Sequence, residues 1–207
     1  MTYAVKEAFL TLQGEGVHAG RAAVFCRFTG CNLWTGREED RTLAACQFCD
    51  TDFVGTDGDG GGVFDDAAEL AAHLASMWQH TLPPFFVFTG GEPALQLDAQ
   101  LVEACKEHGA ALAIETNGTR PLPAGLDWIC VSPKAGQRLV VTEGDELKVV
   151  MPQEELDLDS FAGLDFTHRL IQPMDSQLGA TEWCVSYCLD RPEWRLSLQT
   201  HKTLGLR

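Results

Sequence analysis

Short apolar runs alternate with amphipathic segments along most of this chain. The runs have the length of β-strands and the segments between them have helical periodicity, which is the pattern of β/α units on a mainly parallel sheet. Because the runs are almost continuously apolar, both faces of each strand should be buried. The predicted strands are 23–28, 85–89, 111–115, 128–131, 146–151, 169–172 and 196–199, and the predicted helices are 65–78 and 97–108. The sequence therefore predicts an α/β fold.

Two segments interrupt the alternation. Residues 32–45 follow the first predicted strand, and residues 55–62 form a Gly/Asp tract that is expected to be a flexible connection. The tract lacks the glutamate and the helix pair of a calcium-binding loop, so a mobile loop is the preferred interpretation. Neither segment is long enough to be a domain, and residues 1–207 are expected to form one domain.

Five successive predicted strands end in polar residues. In open or partial barrels of parallel strands, ligands bind at the carboxyl ends of the strands. Any one of these ends could be an ordinary turn, because Gly, Asn, Ser and Pro are common there. Their occurrence on five strands favours a ligand site built from residues 89–92, 115–118, 132–134, 172–175 and 199–202.

Composition narrows the location and the partners. No apolar run approaches the roughly 20 residues that span a bilayer, and the N-terminus lacks the pattern of a signal peptide, which predicts a cytoplasmic protein without a membrane partner. Thirty acidic residues against fifteen basic ones give a net charge of -15. Such a surface repels polyanions, so a small molecule is a better candidate substrate than nucleic acid.

Three of the eight cysteines have the spacing C-x14-C-x2-C. In a reducing cytosol, closely spaced thiols are more often metal ligands than disulfide partners. Three thiolates, Cys31, Cys46 and Cys49, can hold three irons of a [4Fe-4S] cluster and leave the fourth iron open. An open iron can be chelated by the amino and carboxylate groups of methionine. Together with aromatic Phe48 as a surface for adenine, this indicates S-adenosylmethionine.

The other cysteines have simpler interpretations. Cys26, Cys105 and Cys130 lie in apolar segments and are predicted to be small buried hydrophobes. Cys184 and Cys188 are four residues apart on a predicted helix, where an auxiliary metal is a minor alternative. A closed zinc site with Cys26 as its fourth ligand is a different class of function for the triplet, that of a small binding module.

Several motifs together resemble a known family. They are TLQGEG at 11–16, FCRFTGCNLW at 25–34, CQFCDTDF at 46–53, and then TGGEP, ETNG, SPK, QPM and QTHK. The chain resembles radical S-adenosylmethionine enzymes and, more narrowly, the 7-carboxy-7-deazaguanine synthase family of queuosine and deazapurine biosynthesis. Most of the superfamily has three residues between the first two cysteines, whereas a spacing of fourteen resembles one branch of this family.

The resemblance implies a fold and a reaction. The fold is a partial (β/α) barrel of the radical S-adenosylmethionine type, reduced relative to the full core, in a homodimer. The reaction is a carbon–nitrogen lyase step, a radical ring contraction of 6-carboxy-5,6,7,8-tetrahydropterin to 7-carboxy-7-deazaguanine with release of ammonia. S-adenosylmethionine is used catalytically, and a flavodoxin-like or ferredoxin-like protein supplies the electron.

The resemblance also assigns residues. The cluster ligands are Cys31, Cys46 and Cys49, and Thr51 binds Mg2+. The cofactor contacts are Phe48, Cys49, Asp50, Gly90, Gly91, Glu92, Glu115, Asn117, Ser132, Pro133, Lys134, Gln172, Pro173, Met174 and Asp175. The substrate contacts are Leu12, Gln13, Gly14, Glu15, Arg27, Thr89, His201 and the terminal Arg207. Catalysis needs no further side chain, although His201 could shuttle a proton.

A rival of the same superfamily is a glycyl-radical-enzyme activase. Such an enzyme also has a TGGEP-like segment and a cluster, but it acts on a protein backbone. TLQGEG, the position of Arg27 and the terminal QTHK favour a pterin pocket instead. Arg27 is suited to this pocket because a guanidinium group can pair bidentately with a substrate carboxylate.

Overall fold

One nine-stranded sheet forms the centre of the computed structural model, which describes residues 1–175 and 177–206. Its strands are β1 (Tyr3–Leu12), β2 (Ala22–Phe28), β3 (Gly62–Phe64), β4 (Phe85–Gly90), β5 (Ala111–Thr116), β6 (Trp128–Val131), β7 (Glu143–Met151), β8 (Asp165–Pro173) and β9 (Trp194–Leu196). Their order across the sheet is β3-β1-β2-β4-β5-β6-β7-β8-β9. β1 is antiparallel to β2 and β3, and the strands from β2 to β9 otherwise pair in parallel.

Within the described residues, four α-helices accompany the sheet: α1 (Ala67–Ser76), α2 (Ala99–Glu107), α3 (Ala180–Asp190) and α4 (Thr200–Leu204). An aspartate caps each of the first two. The side chain of Asp66 accepts a hydrogen bond from the Glu69 amide, and that of Asp98 accepts one from the Leu101 amide, each at 2.9 Å. Such caps satisfy amide groups that have no partner within the helix. Both predicted helices are therefore confirmed, one or two residues shorter at each end.

The predicted parallel strands are confirmed except at the last one. The predicted bounds 196–199 were wrong, because β9 covers Trp194–Leu196 and Gln199 is already the residue before α4. His201 consequently belongs to a short helix rather than to a strand end. β1 and β3 had no sequence prediction. The Gly/Asp tract before β3 lies against β1, where the Ala8 amide donates to the Asp59 carbonyl and the Gly58 amide to the Lys6 carbonyl.

Successive side chains of each parallel strand point to opposite faces of the sheet, and the two faces differ in composition. On one face, Val24, Phe86 and Leu112 pack with Leu74 of α1 and Leu101 of α2 in an apolar cluster. A second apolar cluster lies on the same face of the sheet and contains Leu147 and Val149 of β7 and Cys184 of α3. The intervening residues point to the opposite face. These residues carry most of the charged and polar side chains of the inner strands, among them Arg27, Thr89, Glu115 and Lys148.

The helices are short, and none in the part of the chain that the structure describes is long and apolar enough to cross a membrane.

Candidate functional site

The face of the sheet opposite α1, α2 and α3 opens into a cavity of about 650 Å³. Strand pairing brings polar residues of the cavity side by side, since Arg27 of β2 is the partner of Thr89 of β4, and Glu115 of β5 also lines the cavity. The segments that follow β4, β5, β6 and β8 also contribute to the wall. The predicted ligand site at the carboxyl ends of the strands therefore coincides with the large cavity.

The segment between β1 and β2 crosses this face and meets α4. The hydroxyl and the amide of Thr200 both donate to the Gly14 carbonyl at 2.9 Å. A Cβ atom at position 14 would lie 2.1 Å from Nδ1 of His201. Only glycine permits this approach. Gln13, Gly14 and His201 are thereby held at one end of the cavity.

A buried ion cluster lies on the cavity face of the sheet. The side chain of Lys148 is 5% exposed, and its Nζ donates to Glu15 Oε2 at 2.7 Å and to Glu115 Oε2 at 2.9 Å. The second oxygen of Glu15 accepts from Gln199 Nε2 at 2.9 Å, and that of Glu115 accepts from Gln13 Nε2 at 3.0 Å. Four segments that are distant in sequence therefore meet around one ammonium group.

The cluster changes the pKa values of its members in opposite directions. Burial opposes ionisation of Glu15, but the charge and hydrogen bond of Lys148 outweigh it and lower the pKa of Glu15 to about 2. Burial raises the pKa of Glu115, and Lys148 offsets this only in part because Glu146 and Glu15 add like charge. The pKa of Lys148 is raised well above its usual value, because nearby acidic groups outweigh burial.

Arg27 lies at another part of the wall, where it already has a protein partner. Its Nε donates to Glu7 Oε1 at 2.8 Å, and both side chains are about one-fifth exposed, 19% and 21%. Both residues line the cavity. The guanidinium group has five N–H donors in a fork, so the Glu7 contact leaves others for an anionic ligand.

The three cysteines of the C-x14-C-x2-C triplet line the same cavity. Burial raises the pKa of Cys31 and that of Cys46, and the nearby charge of Cys49 acts on both pKa values in the same direction. Within residues 1–175 and 177–206, no group of three His, Cys, Asp or Glu side chains is arranged as a ready-made metal site. The donor set is nonetheless three sulfur atoms facing one cavity, and thiolates are the ligands that iron–sulfur clusters take.

The segment between Cys31 and Cys46 is folded rather than open. It contains a 3₁₀ helix at Glu38–Leu43, from which Arg41 donates to the carbonyls of Gln47 and Cys49 at 2.8 and 3.0 Å. The guanidinium group also lies 4.0 Å from the centre of the Trp34 ring. Arg41 therefore fastens the long insertion to the C-x2-C turn.

Gly91, directly after β4, allows the chain at Gly30 and Cys31 to approach the sheet closely. A Cβ atom at Gly91 would lie 2.2 Å from the Gly30 carbonyl oxygen and 2.8 Å from Cβ of Cys31. Glu92, the next residue, is completely buried and does not line the cavity. Its carboxylate accepts hydrogen bonds from the Thr116 hydroxyl and the Asn117 amide at 2.6 and 2.7 Å. Glu92 thus supports the Asn117 loop from behind.

At the rim, Lys202 of α4 joins two other segments. Its Nζ contacts Asp50 Oδ2 at 2.5 Å and Asp175 Oδ2 at 2.7 Å. Thr51 lines the cavity beside Asp50. On the other side, Lys134 donates to Ser132 and stands 5.7 Å from the ring centre of Phe48.

Most of the residues predicted for the site are brought together at the cavity. Those that line it are Leu12, Gln13, Gly14, Glu15, Arg27, Cys31, Cys46, Phe48, Cys49, Asp50, Thr51, Thr89, Gly90, Gly91, Glu115, Asn117, Ser132, Lys134, Gln172, Pro173, Met174, Asp175 and His201. Glu92 and Pro133 are not among its lining residues, and Arg207 lies outside the described residues. Glu7 and Lys148 also line the cavity and were not predicted from the sequence, whereas Lys202 falls within the predicted segment 199–202. For Lys148 the detectable signal was the pair of charged residues, Glu146 and Lys148, two positions apart in the otherwise apolar run 146–151.

The remaining cysteines are structural. Cys26 and Cys105 belong to the apolar cluster on the helix face, which separates Cys26 from the cysteine triplet and argues against a four-thiolate zinc site. Cys184 is buried in the second cluster and Cys188 packs against it, so the auxiliary metal at this pair is not supported within the described residues. Cys130 is buried beside Glu146.

Comparisons with known proteins give a consistent result. No family model matches the chain. Over the full length of both proteins, it is 61% identical to a 7-carboxy-7-deazaguanine synthase of Bordetella pertussis and 59% identical to one of Nitratidesulfovibrio vulgaris. The crystal structure of QueE from Escherichia coli matches with a TM-score of 0.73 at 28% identity, covering 97% of this chain and 95% of that one.

Replacing Glu92 by glutamine tests its supporting role. The amide oxygen can still accept from Thr116, but the NH2 group faces the donating amide of Asn117 and leaves it without a partner. We expect E92Q to lower the free energy of unfolding by about 1–3 kcal/mol, measured by chemical denaturation. The control is E103Q on the exposed face of α2, which should change it by less than about 0.5 kcal/mol. Equal stabilities of the two variants would contradict the role.

Proposed function

The chain belongs to the 7-carboxy-7-deazaguanine synthase family, and we propose that it converts 6-carboxy-5,6,7,8-tetrahydropterin to 7-carboxy-7-deazaguanine with release of ammonia. The enzyme is accordingly a radical S-adenosylmethionine lyase of deazapurine and queuosine biosynthesis. The observation that carries the proposal is that the cysteine triplet and the Lys148 ion cluster open on one cavity. A cofactor at the thiols and a pterin at the ion cluster would therefore be neighbours. Family membership disfavours the glycyl-radical activase.

Cys31, Cys46 and Cys49 would hold the [4Fe-4S] cluster, and the neighbouring wall would hold S-adenosylmethionine. Bound there, the cluster and S-adenosylmethionine would supply the radical chemistry that starts the ring contraction of the pterin. Backbone groups at Gly90 and Gly91 can approach an amino acid moiety closely, as the short distances around Gly91 indicate. Phe48 offers an apolar ring beside the polar segments 132–134 and 172–175.

The polar wall would bind the pterin. Gln13 can accept and donate hydrogen bonds along the amide and amino edges of the ring, and the ionised Glu15 can accept them from N–H groups there. Arg27 can pair with the substrate carboxylate through N–H groups that Glu7 does not use. His201 lies against Gly14 at the same end as Gln13, within reach of a bound ligand as a contact or proton shuttle.

Mg2+ would bind at Thr51. Magnesium takes oxygen ligands and keeps several waters, so one hydroxyl with substrate oxygens is a sufficient, weak site. Asp50 supports this placement because its carboxylate lies 3.5 Å from the Thr51 hydroxyl.

The remaining assignments concern the whole protein. We propose that residues 1–207 form a single radical S-adenosylmethionine domain, which the continuous sheet supports. The protein would be a cytoplasmic homodimer that receives electrons from a flavodoxin-like or ferredoxin-like donor. Unpaired thiols at all eight cysteines agree with a reducing compartment. The net charge of -15 continues to favour a small substrate over nucleic acid.

Anaerobic reconstitution tests the reaction directly. The protein is loaded with iron and sulfide and incubated with 6-carboxytetrahydropterin, S-adenosylmethionine, reductant and Mg2+. We expect 7-carboxy-7-deazaguanine by mass spectrometry, with S-adenosylmethionine not consumed in proportion to product. A protein that has an intact cluster and cleaves S-adenosylmethionine, but yields no deazaguanine, would refute the substrate assignment.

Replacing Cys46 by alanine tests the cluster ligands. Two thiolates cannot hold the three irons that the triplet would hold, so C46A should lose the iron–sulfur absorption and the electron paramagnetic resonance signal of the reduced cluster. The matched control is C188A, because Cys188 is a free cysteine that packs against the second apolar cluster away from the cavity. A complete [4Fe-4S] signal in C46A would overturn the ligand assignment.

A further inference from the structure

We propose that Lys148 is a positioning residue of the pterin site, which holds Glu15 and Glu115 as a fixed pair of acceptors for an N–H edge of the substrate. The inference rests on the proposed function, since it states what the buried ion cluster does for the pterin. None of the motifs that resemble the family includes Lys148.

The geometry assigns this role to one side chain. Lys148 projects from the middle of β7 and contacts Glu15 from the segment before β2 and Glu115 from β5, at 2.7 and 2.9 Å. The Lys148 side chain is 5% exposed, whereas those of Glu15 and Glu115 remain 19% and 21% exposed. The ammonium group is therefore covered, and the two carboxylates form the surface that a ligand meets.

The partners of each carboxylate leave it able to accept more hydrogen bonds. Each has one oxygen on Lys148 and the other on a glutamine amide, Gln199 for Glu15 and Gln13 for Glu115. Glu15 has a further partner in Gln172, and Glu115 has one in Cys130. A carboxylate has about four acceptor positions, so each retains capacity for a ligand donor. Because Lys148 and the glutamines have fixed the orientation, little freedom is lost when a ligand binds.

The charge of this region predicts which end of the pterin it takes. Lys148 is a single positive group among three carboxylates, because Glu146 of β7 also faces it and accepts from the Val17 amide at 3.0 Å. An excess of negative charge favours an edge of N–H donors and disfavours a ligand carboxylate. The carboxylate of the pterin would then lie toward Arg27. β2 and β5 are separated only by β4, which puts their backbones about 10 Å apart.

Removing the ammonium group should change how the carboxylates titrate. Without Lys148, Glu15 and Glu115 would face each other and the nearby Glu146 with burial unopposed, so the pKa values of Glu15 and Glu115 should rise. The other ionisable groups that interact with this cluster are His18, Cys130 and Lys134. Glu15 is the informative member, because its pKa of about 2 keeps it ionised throughout the working range.

The test compares K148M, K148R and a control, K106M. Lys106 also pairs with a carboxylate, Asp127, but it does not line the cavity. Each anaerobically reconstituted protein is assayed for iron content and for S-adenosylmethionine cleavage without pterin. Steady-state kinetics across pH then give kcat and KM with the pterin as the varied substrate, and calorimetry gives the affinity for the pterin.

We expect K148M to keep its iron–sulfur cluster and its ability to cleave S-adenosylmethionine. Its kcat/KM for the pterin should fall about 100-fold, mostly through KM. The acid limb of its kcat/KM profile should move to higher pH by about one unit or more, because protonation removes the acceptors. K148R, which keeps the charge, should stay within about tenfold of the wild type and keep the wild-type limb. K106M should match the wild type.

An unchanged KM and an unchanged acid limb in K148M would overturn the proposal. If circular dichroism shows that K148M is unfolded, the K148R variant provides the test. An acid limb of its kcat/KM profile at the wild-type pH supports the proposal, and an acid limb at higher pH overturns it. Turnover by the wild type tests the proposed function separately. Were the wild type to make no deazaguanine, calorimetry would still decide the role of Lys148. Weaker pterin binding to K148M than to K106M supports it, and equal binding overturns it.

Discussion

The contact of Lys148 with Glu15 and Glu115 connects the parts of this protein that have to act together. It joins β7 to β5 and to the segment before β2, on the face of the sheet that α1, α2 and α3 leave open. A buried ammonium group without partners would be costly, and so would the carboxylates without it. The three groups are stable only together. The polar wall of the cavity is therefore a consequence of the fold and not an addition to it.

Periodicity in the sequence predicts a large part of this architecture. The continuous apolar runs of β4 to β8 identified the parallel sheet, because strands buried on both faces leave that signature. β1 gave no such signal, since only one of its faces packs against α1 and α2, and a register shift between Val5 and Glu7 interrupts its pairing. β9 has only three residues, which are too few for the sequence pattern to define where the strand begins and ends.

The site was predictable to the extent that motifs mark it. Spacing identified the cysteine triplet, and the polar strand ends identified the rim. The partners of these residues were not predictable. Lys148 was predicted only as part of an apolar strand. Glu92 was assigned to the cavity, although its carboxylate binds the Asn117 loop from behind. Arg27 was predicted without its partner Glu7. Each depends on contacts across the sheet, which a pattern within one strand cannot encode. The insertion before Cys46 is similar, because Arg41 fastens it through backbone carbonyls.

The central claim is that the thiol triplet and the Lys148 ion cluster serve one reaction in one cavity. An anaerobic crystal structure of the reconstituted protein with S-adenosylmethionine and 6-carboxytetrahydropterin measures this directly. The account predicts a cluster on Cys31, Cys46 and Cys49, with the N–H edge of the pterin on Glu15 and Glu115 and its carboxylate toward Arg27. A pterin bound in the opposite orientation, or outside the cavity that the three cysteines line, would contradict it.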